Sequence, residues 1–398
     1  MEMKRVGLIV NDKFILTNEQ RKYLGLNPIE KHWDVLDIKG TSYYFDGNVI
    51  KKEISSSGCQ EENFRYRECE LDVETAENRT VVLPKTAKGK PKKLNFTATQ
   101  SFRPVDVYFS YEGGWITIAS YTTQKTFYSE EAGSEESGAV LENWLENWIR
   151  ETTQADFAEL ETFKNEKRVH QSYKEGDIFA FKIGRRQYGF GKILIDIVKR
   201  RKTEEFKQNK NYGLANLMGT ALVVKVYHKI SDSMEVNLDE LEQGLSLPPQ
   251  AIMDNRIYYG EYKIIENRAV TYRDLDDGPI STSKSINYQD RETAYLQYGF
   301  IYRELSLFEY KMYEDEGWYH TDYRDEGIGF SLNLDHLEEC ITAHFNEPYY
   351  GSDVRNGVRG RLSHPLNKKD KNAIFEAFGL DGNLNYEGNL KLHRASKE

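Results

Sequence analysis

The stretch from Gly176 to Leu194 constrains the fold most tightly. Gly176-Asp177 leads into the apolar run Ile178-Phe179-Ala180-Phe181-Lys182-Ile183, and the polar turn Gly184-Arg185-Arg186-Gln187 follows. The chain then returns as Tyr188-Gly189-Phe190-Gly191-Lys192-Ile193-Leu194. Two β-prone runs around a polar turn predict a hairpin. Glycines at alternate positions of the return strand predict a bulge or sharp coiling, as in a small curled sheet. Thr220 to Tyr227, rich in Val and Leu, predicts a third and central strand.

Short strands also dominate the first 130 residues. Thr41 to Phe45 and Val49-Ile50 flank Asp46-Gly47-Asn48, a tight-turn signal. Arg79 to Leu83, Val105 to Phe109 and Trp115 to Ala119 are further strand candidates, the last after the turn Gly113-Gly114. Aromatics make up 13% of the chain, with 27 Tyr and 19 Phe, which favours sheet over an all-helical design. Helices are expected where the period lengthens. Thr17 caps Asn18 to Leu24, with Gly25 ending the helix. Leu141, Leu145 and Ile149, beside Val140, Trp144 and Trp148, form one wide apolar face after the Ser/Gly/Glu-rich segment 129–138. Its two tryptophans are read as cementing one domain to the next. Asp335 to Phe345 and Lys371 to Phe378, closed by Gly379, are helix candidates in the tail.

These patterns predict an α+β protein. A β-rich domain spans residues 1–130, a linker and amphipathic helix 131–170, and an α+β domain with a curled, mainly antiparallel sheet and C-terminal helices 171–398.

Charge narrows the partners. The formal net charge is −10, which opposes nucleic-acid phosphates and suits a basic protein. Between Lys311 and Cys340, nine acids face two bases. Within and beside that run, Glu314, Asp315, Glu316, Asp322, Asp325 and Glu326 interleave with Tyr310, Tyr313, Trp318, Tyr319 and Tyr323, and Asp274, Asp276 and Asp277 add a second cluster. Aromatics anchor and charges select at protein interfaces, so Asp274, Asp276, Asp277, Glu314, Asp315, Glu316, Trp318, Asp322, Tyr323, Asp325 and Glu326 are the candidate contact residues. The bland alternative is an acidic surface over a Tyr-rich core. The basic run Lys85, Lys88, Lys90, Lys92 and Lys93 could grip nucleic acid, but no stacking aromatics interrupt it, and a solvated loop is the simpler reading.

Chemistry-bearing motifs are scarce. Gly189 and Gly191 lack the third glycine and helix of a dinucleotide loop. His336, Cys340 and His344 have helix-face spacing for zinc, but a fourth ligand is missing, and Leu334, Leu337, Ile341 and Phe345 form a plain apolar stripe beside them. There is no Gly-x-Ser-x-Gly, His-Glu-x-x-His, Walker or Cys-x-x-Cys pattern. A non-enzymatic protein without metal or cofactor is expected; a hydrolase whose groups meet only in space is the alternative. Three cysteines, Cys59, Cys69 and Cys340, build no disulfide framework and fit a reducing, cytoplasmic setting. No signal peptide or membrane span is read from the sequence. The sequons at Asn78 and Asn95 are then expected to carry no glycan.

The hairpin from Lys174-Glu175-Gly176-Asp177-Ile178-Phe179-Ala180 to Tyr188-Gly189-Phe190-Gly191-Lys192-Ile193-Leu194 resembles the opening of the immunity protein 26 family, over roughly Tyr173 to Leu305. These are bacterial proteins encoded beside polymorphic toxins. The resemblance implies an α+β domain that binds and neutralises a cognate toxin and needs no cofactor. The partner expected is a protein toxin, with a basic nuclease one candidate.

Overall fold

The computed structural model describes residues 8–10, 13–57, 63–76, 80–81, 92–94, 96–133, 137–208, 217–284, 293–309, 323, 327–334, 337–342, 362–364 and 367–396. Helices and antiparallel sheets are both present, so the α+β class holds. The chain forms two compact units, residues 1–170 and 171–398.

In the first unit, β1 (Leu8–Val10) and β2 (Lys13–Ile15) pair as a hairpin, followed by α1 (Asn18–Tyr23). Thr17 caps α1 in a reciprocal box with Gln20, and Gly25 ends it at φ +73°, as the sequence predicts. Then come β3 (Asp34–Ile38), β4 (Thr41–Asp46), β5 (Val49–Ser56), β6 (Tyr66–Ala76), β7 (Thr80–Val81) and β8 (Lys92–Lys93). The short α2 (Phe96–Thr99) precedes β9 (Val105–Glu112), β10 (Trp115–Ser120) and β11 (Lys125–Glu131). The main path runs β11-β10-β9-β6-β5-β4-β3, antiparallel throughout, with β7 paired to β6 and β8. Gly47 sits at φ +59° in the turn between β4 and β5, a conformation that excludes most side chains.

One face of this sheet is covered by α1, α3 (Gly138–Glu151) and α4 (Gln154–Asn165), around Phe14, Tyr66, Phe109, Ile116, Leu141, Leu145 and Trp148. Trp144 and Trp148 stack at 4.9 Å, Trp148 lies 4.8 Å from Tyr128, and its Nε1 donates to the Tyr23 carbonyl at 2.8 Å. The tryptophan face therefore packs on its own unit. An i, i+4 apolar stripe states that a helix is covered on one side, not by which sheet.

Four charges are sealed beneath α1. Lys52 and Glu68 are fully buried, Arg21 is 2% exposed and Glu70 4%. Arg21 grips Glu68 with Nε at 2.8 Å and Nη2 at 3.0 Å. Lys52 donates to Glu68 at 2.5 Å, to Glu70 at 2.8 Å and to the Asn27 carbonyl at 2.8 Å, and the Tyr66 hydroxyl donates to Glu68 at 2.6 Å. The set is neutral and hydrogen-bonded, the condition under which buried charge is tolerated.

In the second unit, β12 (Asp177–Ile183) and β13 (Gln187–Asp196) form the expected hairpin. The helices α5 (Ile197–Arg200) and α6 (Glu204–Gln208) lead to β14 (Ala221–Ser231). After α7 (Leu238–Gln243) come β15 (Gln250–Met253), α8 (Asn255–Tyr258), β16 (Lys263–Asn267) and a 3-10 turn at Tyr272–Leu275. β17 (Ile280–Lys284), β18 (Thr293–Tyr298) and β19 (Ile301–Ser306) make a three-stranded antiparallel sheet. β20 (Ile328–Gly329), α9 (Leu337–Thr342), α10 (Lys368–Ala377) and α11 (Tyr386–Ala395) complete it. The larger sheet has the order β16-β12-β13-β14-β15-β20, and only its β15–β20 pair is parallel. β14 is central, as its apolar run predicts. α11 was not foreseen; its marks are the Asn385 cap and buried Tyr386, Leu390 and His393 at helical spacing.

The hairpin glycines have a packing reason. Phe179 lies opposite Gly191 and Phe181 opposite Gly189. A Cβ on Gly191 would sit 2.4 Å from the Phe179 ring and 2.8 Å from the Lys225 carbonyl oxygen. The β13–β14 register shifts between Gly189 and Gly191, the irregularity expected there. Gly191→Ala is expected to destabilise the second unit by about 1–3 kcal/mol, because the Phe179 ring can turn but the β14 backbone cannot retreat without breaking its ladder. A denaturation midpoint equal to the parent's would show that the strand has room to spare.

Candidate functional site

Lys192 on β13 and Lys225 on β14 stand directly opposite each other in register, on the sheet face covered by α7. Like charges in that position repel. Alternation forces them inward, since Val224 and Val226 occupy the other face with Phe179, Phe181 and Ile193. The counter-charges arrive from later in the chain. Asp274, in the 3-10 turn, accepts from Lys225 at 2.6 Å through Oδ1 and from Lys192 at 3.1 Å through Oδ2. Thr271 holds that carboxylate with its backbone N–H at 2.8 Å and its hydroxyl at 3.1 Å. Glu242 of α7 accepts from Lys192 at 2.6 Å, and the Ala269 carbonyl accepts at 3.2 Å.

Burial works against the charge on Asp274, but Lys225, then Thr271 and Lys192, outweigh it and hold the carboxyl down at about 2. The Lys192 side chain is 1% exposed, Lys225 and Asp274 are each 9% exposed, and Glu242 is 29%. The Lys225 ammonium lies 4.7 Å over the Tyr227 ring. Burial, followed by Asp274 and Glu242, raises the Tyr227 phenol well above its ordinary range. Two cations and two anions make a closed, neutral brace joining β13, β14, α7 and the 3-10 turn. A brace whose acids are already matched is not poised as an acid–base pair.

The proposed contact residues fall into two groups. Asp274 is the counter-ion just described. Asp276 accepts from the Tyr386 N–H at 2.9 Å through its carboxylate, and its carbonyl accepts from the Tyr298 hydroxyl at 2.6 Å. Burial raises its carboxyl, with the Tyr386 N–H opposing. Asp277 is half-buried beside the same turn and near Lys371. Tyr323 is buried: its backbone bridges Thr282 in both directions, at 2.7 and 2.9 Å, and its hydroxyl donates to Asp370 at 2.6 Å. Glu314, Asp315, Glu316, Trp318, Asp322, Asp325 and Glu326 lie outside the described residues.

Other sequence candidates are placed as follows. Cys340 is buried beside Leu337 in the core under β12–β14, while His336 and His344 lie outside the described residues. Among the described residues no group of three or more His, Cys, Asp or Glu could hold a metal ion. Cys69 and Cys340 are free and buried, and burial pushes the Cys69 thiol up to about 12. Cys59, Asn78, Asn95 and residues 82–91 of the basic run lie outside the described residues, and so do the side chains of Lys92 and Lys93. No helix among the described residues is long and apolar enough to cross a membrane.

Lys192, Lys225 and Glu242 were missed from sequence. A lone lysine inside each of two apolar strand runs was the available signal, since a charge at a core-facing position needs a partner.

A cavity of about 550 Å³ opens beside this module, between Leu194, Arg200, Phe206, Tyr272, Phe300 and Leu390. Its chief ion pair, Arg200 with Glu175, is bidentate at 3.0 and 2.7 Å, and Arg200 also stacks 4.4 Å over Phe300.

The architecture is thus an antiparallel α+β module braced by internal charge. Residues 174–292 match the family Immunity protein 26, the family that the Gly176–Leu194 hairpin resembles. That family suggests an immunity role in toxin systems. The matched stretch ends just before β18, short of the Leu305 limit read from the sequence. Comparisons with curated proteins and with solved structures each found no match.

Proposed function

We propose that this chain is an immunity protein that binds a cognate bacterial toxin in the cytoplasm and neutralises it by covering its active or target-binding surface. The observation that carries the reading is the match of residues 174–292 to Immunity protein 26. Two features support it. The net charge of −10 favours capture of a basic partner, a nuclease being one candidate. Tyr323, which lies within the acidic and aromatic run of the sequence, is itself bonded to Thr282 and Asp370. Asp276, Asp277, Glu314, Asp315, Glu316, Trp318, Asp322, Tyr323, Asp325 and Glu326 are the proposed contact residues. Asp274 is instead the buried counter-ion of Lys192 and Lys225.

The test is titration of the toxin encoded beside this chain with purified protein. Toxin activity should fall to zero near equimolar protein. Full toxin activity in the presence of excess protein would end the proposal. Reversing Asp322, Asp325 and Glu326 to lysine should slow association about tenfold at low salt and much less at high salt, because steering is screened within a Debye length of about 8–10 Å. Equal rates at both salts would place the contact surface elsewhere.

A further inference from the structure

The first unit holds a second chemical feature, on the sheet face opposite its sealed charge network. Along β4, β5 and β6, Tyr43 pairs with Glu53, Glu53 with Cys69, and Ser55 with Arg67. Alternation therefore places Glu53 and Arg67 on one face as diagonal neighbours, within reach of each other. They line a cavity of about 280 Å³ with Thr41, Tyr43, Ser55 and Gln100, partly walled by the Thr99–Pro104 segment. Oppositely charged diagonal neighbours ordinarily close into an ion pair. These two do not. Arg67 is drawn aside by Tyr121, whose hydroxyl accepts from Nη2 at 2.5 Å and whose ring lies 6.0 Å from the guanidinium. Tyr121 is itself held against Tyr108 at 4.6 Å. Glu53 forms no hydrogen bond or close ion pair with any described residue; it is half-buried, and burial raises its carboxyl with the Arg67 charge opposing.

A half-buried carboxyl without a direct hydrogen bond, lining the same cavity as an arginine fork, offers a bridging ligand two charge-assisted contacts that neither side chain makes with the other. We propose that this cavity binds a small zwitterion, a free α-amino acid, whose ammonium meets Glu53 and whose carboxylate meets Arg67. The ligand class follows from the lining. One acid and one guanidinium separated across a mainly polar space match a molecule carrying both opposite charges close together. The volume lies just under the ~300–1,000 Å³ of sites for drug-sized ligands, which suits a metabolite of amino-acid size. Thr41, Ser55 and Gln100 supply further polar partners at the rim. The site lies outside residues 174–292, so it is independent of the toxin-binding reading.

Calorimetric titration of the full chain with free amino acids tests this directly. At least one should bind at ~10 mM or below, and its N-acetyl and carboxamide forms should each bind about tenfold or more weakly, because each lacks one charge-assisted contact. Glu53→Gln should abolish the discrimination against the N-acetyl form, and Arg67→Gln the discrimination against the carboxamide. A merely structural role for either side chain would not sort the two analogues in this way. If no free amino acid binds the parent protein, or if the analogues bind as well as the zwitterion, the assignment is overturned whether or not the variants fold.

Discussion

Asp274→Ala is expected to destabilise the 171–398 unit by about 3–5 kcal/mol, a large share of the stability of a domain this size. The reason is the sharing of one carboxylate by two buried cations. With it gone, Lys192 retains Glu242, but Lys225 loses its ion-pair partner while still beneath α7. Asp274→Asn should recover part of the loss, because the amide oxygen still accepts a hydrogen bond while the charge is absent. Replacing Lys192, Lys225 and Asp274 with Met, Met and Leu together with Glu242→Gln should do better still, since apolar residues of similar volume often substitute for buried ion sets without loss. Chemical denaturation followed by circular dichroism gives the ranking. A single-site loss below ~1 kcal/mol would mean that water already reaches the cluster and screens it.

The same carboxylate sets a pH dependence. Its folded value, about 2, lies below the unfolded value near 3.9, so the stability it contributes is complete above the unfolded value. It is lost as pH falls from about 4 through about 2. Asp274→Ala should therefore flatten the acid limb of the second unit's stability curve. An unchanged limb would shift the acid sensitivity to other carboxylates.

Glu68→Ala should do comparable damage in the first unit, about 3–5 kcal/mol, with even less relief from solvent. Glu68 is fully buried, and burial alone would raise its carboxyl. Lys52 and Arg21 overcome that and hold it at about 2. Alanine would strand the bidentate Arg21 fork and leave Lys52 with Glu70 and the Asn27 carbonyl. Trp148, stacked on Trp144 in the same unit and donating to the Tyr23 carbonyl, is a local reporter. Its fluorescence transition should move to lower denaturant, while Arg21→Met with Lys52→Met, Glu68→Leu and Glu70→Gln, which removes the whole charged set, should move it part of the way back. A transition that stays in place in Glu68→Ala would show that this buried set contributes little.

The two clusters also mark the limit of reading by pattern. The hairpin at Asp177 to Asp196, its irregular glycines, the central β14, the capped α1 and the closing Gly379 were all legible, because each is a local event governed by side-chain alternation, capping or a left-handed turn. The acidic positions were legible only as charge. Asp274 and Glu314 look alike in a sequence; one is the shared counter-ion of a buried pair, and the other lies outside the described residues. Lys192 and Lys225 are 33 residues apart, and Asp274 lies 49 beyond Lys225. No short-range pattern joins them.

The sequence by itself determined that the chain is α+β, that a Gly-alternating hairpin opens its second half, and that this segment is akin to Immunity protein 26. The first two rest on periodicity, turn chemistry and composition, which act over a few residues; the third is a likeness of that segment's residues to the family. Tertiary structure alone decided which charges face inward, that the Trp144–Trp148 face covers its own sheet, and that Glu53 and Arg67 are held apart around a cavity. Burial, ion pairing and enclosure depend on what distant segments bring to the same place, and that is set only when strand register and helix packing are complete.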